Sequence, residues 1–104
     1  MPCSPPAHVH ADTFSVAAAR LGARPEDCIV FEDAVLGEQA AYRAGMRCVA
    51  IGSSLNEKDF QNPLAYLKDF TGFTPARLLE LIAQQPKAPK PDKQRAQRQY
   101  MHLE

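Results

Sequence analysis

At 104 residues the chain has room for one compact domain, since such domains run from roughly 50 to 250 residues. Its apolar fraction of 45% and charged fraction of 23% are those of an ordinary globular protein. Twelve basic side chains balance twelve acidic ones, which excludes wholesale nucleic-acid binding, and no apolar run approaches the roughly 18 residues needed to span a bilayer. Met1 to Pro6 has neither a charged lead nor an apolar stretch, so it is not a secretory signal. Three cysteines without metal-ligand spacing argue against a disulfide scaffold and predict a reducing compartment, the cytoplasm.

In chain order, residues 1–10 hold three prolines and two histidines without periodicity and read as an irregular lead. Asp12 to Leu21 reads as a helix capped by Asp12, with Phe14, Ala17, Ala18 and Leu21 at helical spacing and Gly22 as its stop. Pro25-Glu26-Asp27 is a turn, and Cys28 to Phe31 a wholly apolar strand of the kind that parallel sheets cover on both faces. Val35 to Ala44 reads as a second helix, closed by Gly45. Cys48 to Ile51 reads as a second strand, ended by Gly52-Ser53-Ser54. After a charged loop from Asn56 to Gln61, Ala65 to Phe70 reads as a third strand. Thr74-Pro75 opens a last helix whose apolar stripe is Leu78, Leu79, Leu81 and Ile82.

Strands separated by helices of about ten residues imply right-handed crossovers, and so a parallel, three-layer α/β/α Rossmann-like sandwich. The predicted core spans residues 11–84. A core of about 75 residues buries little more than half of its unfolded surface, so it folds with little margin. Residues 85–104 are rich in proline and basic side chains and read as a disordered tail, with a transient helix from Asp92 to Leu103. From Lys87 on, the chain carries five positive and two negative side chains, against seven and ten before it. The tail reads either as a weak contact for an anionic surface or RNA or as a solvated linker, and its lack of interleaved aromatics favours the linker.

In an open parallel sheet ligands bind beyond the carboxyl ends of the strands. Glu32 and Asp33 directly follow the first strand. Two adjacent carboxylates there can supply oxygen ligands to Mg²⁺, which takes one or two carboxylates, waters and a substrate phosphate. The competing reading is that Asp33 caps the next helix. Cys28 and Cys48 read either as a redox pair or, preferably, as two small core residues.

Val30 to Met46 reads V-F-E-D-A-V-L-G-E-Q-A-A-Y-R-A-G-M. This resembles the fourth motif of the haloacid dehalogenase-like (HAD) superfamily, V-F-E-D-[SA]-x-x-G-x-x-A-A-x-x-A-G-M in the branch of β-phosphoglucomutase and small sugar-phosphate phosphatases. Asp12-Thr13-Phe14, Leu21-Gly22 and Pro25-Glu26 resemble further positions of that branch, and the likeness covers roughly residues 11 to 83, the C-terminal half of a catalytic core without a cap domain. It implies Mg²⁺-dependent phosphoryl transfer through an aspartate, with the metal neutralising charge on the transferring group. By resemblance Asp33 is the direct Mg²⁺ ligand, and Glu32 its neighbour acting through water or an outer contact. Gly37 resembles a glycine that permits close approach, and Gly45 one that ends the helix with positive φ.

The sequence also departs from the family pattern. No Asp-x-Asp, the family's nucleophile signature, occurs in the 104 residues. His8 stands where the family's phosphate-holding lysine falls, and a histidine contacts phosphate well only when protonated. The expectation is therefore a chain inactive alone, acting on a small phosphorylated metabolite only when completed by an N-terminal half. Without a neighbouring strand, Cys28 to Phe31 becomes a sheet edge, predicting self-association or pairing with that half. The alternatives are a non-catalytic interaction module and a truncated fragment.

Overall fold

The computed structural model describes residues 11–52, 55–92 and 94. Three helices and three strands follow one another as α1 (Ala11–Leu21), β1 (Ile29–Glu32), α2 (Val35–Arg43), β2 (Arg47–Ile51), β3 (Tyr66–Leu67) and α3 (Pro75–Gln84), with short 3₁₀ turns at Pro25–Asp27 and Glu57–Asp59. The sheet is parallel in the order β1-β2-β3, with Ile29 opposite Arg47, Val30 opposite Cys48, and Ala50 opposite Tyr66. The predicted parallel α/β architecture is the one observed.

Period-two alternation along the strands divides the core between the two faces of the sheet. On one face Val30 and Cys48 pack with Ala18 of α1 and Ala41 and Tyr42 of α2, and Ala50 packs with Val35 and Phe60. On the other face Val49 packs with Leu64 and Leu81, flanked by Ile29, Ile51, Leu67, Leu78 and Ile82. Alanines on α2 bring the helix backbone close to the sheet. Ala40 and Ala41 are wholly buried.

The caps follow from local chemistry. Thr74 accepts a hydrogen bond from the Arg77 amide through its hydroxyl (3.1 Å), and Pro75 occupies the first helical position of α3. At the end of α2, Gly45 takes φ +79° while its amide donates to the Tyr42 carbonyl (2.9 Å) and the Met46 amide to that of Ala41 (2.8 Å). That is a Schellman closure, and a side chain at position 45 would be strained in it.

The differences from the sequence reading are local. β1 begins one residue later and includes Glu32. It is not covered on both faces: Val30 is buried but Phe31 is 41% exposed, because among the described residues β1 lies at the sheet's edge. β3 is two residues long because Asp69 accepts a hydrogen bond from the Thr71 amide (2.8 Å) and turns the chain out of the sheet. In α1 only Phe14 and Ala18 face the core, and Leu21 is 81% exposed. In α3 the packed stripe is Leu78, Leu81 and Ile82, while Leu79 points outward. The expectations for residues 1–10, including His8, and for 95–104 lie outside the described residues.

Candidate functional site

The carboxyl end of β1 presents Glu32 and Asp33 side by side, Glu32 half-buried and Asp33 exposed. Glu32 is the last residue of the strand, opposite Ala50 of β2, so sheet pairing fixes its backbone. α2 begins immediately after, and Ala34 rather than Asp33 holds its N-cap position, with no side chain capping it. The capping role weighed for Asp33 is therefore not the one the helix uses.

The Glu32 side chain lies over Gly37, in the first turn of α2. A Cβ at position 37 would overlap its Cγ and Cδ and stand 2.6 Å from Oε1. The absence of a side chain at Gly37 thus makes the berth in which Glu32 sits. Burial pushes the Glu32 carboxyl above the usual carboxylate range, and the adjoining Asp33 charge and a hydrogen bond between the two carboxyls push the same way. A divalent cation bound there would oppose this shift. The donor set, hard carboxylate oxygens at a strand end, suits Mg²⁺, which keeps several waters of its own. Among the described residues no group of three or more His, Cys, Asp or Glu side chains converges on one point, so the pair would supply one or two ligands rather than a cage.

A second acidic group escaped the sequence reading except as one letter of the motif. Glu38 is fully buried. It accepts hydrogen bonds from the Tyr42 hydroxyl (2.5 Å), the Gln61 amide (2.8 Å) and the Asn62 amide (3.0 Å). These donors satisfy its oxygens and tie α2 to the chain that precedes β3. Glu38 is thus a structural carboxylate, locked away from any ligand. Its signal in the sequence is positional: Val35, Glu38, Gln39 and Tyr42 share one helix face, so polar residues fall among the apolar anchors.

Tyr66 closes the adjoining strand end. Its ring lies where a side chain at Gly52 would stand, with Cε2 2.9 Å from that position, and its hydroxyl donates to the Leu55 carbonyl (2.7 Å). Tyr66 is thus a packing residue of this strand end. Cys28 and Cys48 are both free thiols. Register places Val30, not Cys28, opposite Cys48, and Cys48 is wholly buried in the core. No helix among the described residues is long and apolar enough to cross a membrane.

Comparison with known proteins finds likeness over short stretches. The chain is 41% identical over 59 residues to a haloacid dehalogenase-like hydrolase domain-containing protein of Arabidopsis thaliana, which covers 56% of this chain and 19% of that protein. It is 52% identical over 40 residues to a fructose-1-phosphate phosphatase of Escherichia coli, covering 38% of this chain and 21% of the relative. It is also 48% identical over 46 residues to the chloroplastic protein Suppressor of Quenching 1 of Arabidopsis thaliana, covering 44% of this chain and 4% of that protein. No family model matches the chain. The likeness is to HAD-like hydrolases and phosphatases, and its span is about a fifth or less of the length of these relatives.

Proposed function

We propose that the chain is the metal-holding portion of a HAD-like phosphoryl-transfer hydrolase of the β-phosphoglucomutase and sugar-phosphate phosphatase branch. The observation that carries this reading is the Glu32–Asp33 pair at the carboxyl end of a parallel strand, with Glu32 berthed over Gly37. Asp33 would hold Mg²⁺ directly, and Glu32 would hold it through water. When bound, the ion supplies charge neutralisation for a transferring phosphoryl group.

The residues of this chain bind and orient; they do not attack. The 104 residues contain no Asp-x-Asp, and Glu38 is occupied by its own donors. Catalysis then needs an attacking carboxylate from a complementary half. The open edge of β1 is the place at which another strand would add, with Phe31 exposed beside it. Small phosphorylated sugars are the substrate class, by likeness to the E. coli phosphatase. The free thiols of Cys28 and Cys48 suit a reducing compartment such as the cytoplasm. The same edge and its exposed phenylalanines support a second reading, a non-catalytic module that self-associates.

The test is hydrolysis of a generic phosphate ester with Mg²⁺. The chain alone gives no rate above background, and supplying a strand with the Asp-x-Asp signature restores a rate that Asp33→Ala abolishes. A Mg²⁺-dependent rate from the chain alone, lost in Asp33→Ala, would overturn the dependence on a second half.

A further inference from the structure

The segment after α3 is held by the fold at both of its ends. Arg47, buried in β2, donates to the Gln85 carbonyl (2.9 Å), and the Gln85 side-chain amide donates to the Asn62 carbonyl (3.1 Å). Further on, the Gln61 side-chain amide donates to the Lys90 carbonyl (2.8 Å), and the Asp92 backbone N–H donates to Oε1 of Gln39. Gln39 and Gln61 are themselves joined, Nε2 of Gln39 donating to Oε1 of Gln61 (2.8 Å). Between these points Ala88 packs against the cluster of Ala18, Val30, Ala41, Tyr42, Met46 and Cys48.

We propose that residues 85–92 form an intramolecular strap, and that the two linked glutamines, Gln39 on α2 and Gln61 before β3, are a built site that reads its backbone. In series, the two side-chain amides offer one donor and one acceptor, and these meet the carbonyl of residue 90 and the N–H of residue 92. The strap's composition matches that site. Pro89 and Pro91 remove the backbone donors on either side of Lys90, favour an extended polyproline conformation and leave carbonyls pointing outward. Asp92 is the first residue after them with an N–H to give, and that N–H is the one taken. Such recognition needs little from the strap's side chains beyond a small one at position 88.

Gln39 is central to the assignment. It is wholly buried on α2, and its Oε1 accepts from the strap. Without the strap that oxygen loses this partner. The covalent link through α3 keeps the strap at high local concentration, so the site is filled in cis. Closure also braces Gln61 and Asn62, whose amides hold Glu38, so the strap stiffens the loop leading into β3.

Limited trypsin digestion of the full chain tests this at the Lys87–Ala88 bond, with a synthetic peptide of residues 84–94 as the unrestrained reference. The strap predicts cleavage at that bond at least about tenfold slower in the chain than in the peptide, because cutting tracks the open population. Ala88→Asp, which changes only the strap, and Gln39→Ala, which changes only the site, each bring the rate back towards that of the peptide. Cleavage after Arg47, buried in β2, reports global unfolding and stays slow in Ala88→Asp. Equal rates in the chain and the peptide would overturn the strap. So would an unchanged Lys87–Ala88 rate in Ala88→Asp and in Gln39→Ala.

Discussion

At the scale of single residues, two acidic side chains on one short stretch have opposite fates. Glu38 is enclosed by donors. Glu38→Ala strands the Tyr42 hydroxyl and two backbone amides, so urea denaturation should show a loss of more than about 3 kcal/mol, with Glu38→Gln losing less. Glu32 is raised chiefly by its berth over Gly37. In Gly37→Ala the new methyl expels that side chain. The helix gains about 1 kcal/mol of propensity, which offsets the displacement, so stability moves little. The Glu32 carboxyl should nevertheless titrate lower, towards the ordinary carboxylate range, as carboxylate NMR would show. The core also sets an alkaline limit. Burial, and then the nearby Glu38 charge, pushes the Cys48 thiol well above its ordinary 9.0. Burial and the hydrogen bond to Glu38 push the Tyr42 phenol above 10.0. The unfolded chain releases these protons at lower pH than the folded chain does. Stability is therefore intact below about pH 9 and falls above it, by up to about 1.4 kcal/mol per pH unit for each group. Denaturation curves at pH 7.5 and 10 check the sign, and Cys48→Ala should remove only the thiol's share.

At the scale of elements, sequence and fold agree where chemistry is local. Thr74-Pro75 starts α3 and Gly45 ends α2 because caps and turns depend on a few neighbouring residues. The two strands with runs of apolar residues were legible for the same reason. What the sequence did not disclose depends on distant partners. Glu38 and Gln39 are polar residues on the helix face of Val35 and Tyr42, and the partners that satisfy them there lie far along the chain, Gln61 and Asn62 before β3 and Asp92 beyond α3. Phe31 is exposed because its strand is an edge, and its ring meets Phe70 at 5.7 Å and Phe73 at 6.4 Å instead of a covering helix. Of the candidate site, Glu32, Asp33 and Gly37 could be read from one motif, whereas the berth that joins Glu32 to Gly37 needed coordinates. Arg47 shows how elements are joined. Its guanidinium donates to the carbonyls of Glu26 (2.7 Å) and Gln85, fastening the turn before β1 and the end of α3 to β2. Arg47→Ala should therefore loosen both ends, lowering thermal stability and speeding amide exchange at Cys28 and Gln85, the residues whose amides close those two turns.

At the scale of the whole molecule, the sheet is open on one side. β1 has β2 as its only strand neighbour among the described residues, and the phenylalanines beside it are partly in water. An edge that is apolar from Ile29 to Phe31, with its one charged residue, Glu32, at the very end, invites another strand. Sedimentation should show concentration-dependent association of the chain alone, reduced by Phe31→Lys. A monomer at all concentrations would weigh against an available edge. If the end of β1 is a Mg²⁺ site of phosphoryl-transfer lineage, the backbone amide resonances of the chain will report it during a Mg²⁺ titration. Saturable shifts centred on Glu32, Asp33 and Ala34 are expected, and they disappear in Asp33→Asn while the fold is retained. Shifts absent from this strand end, or unchanged in Asp33→Asn, would contradict it.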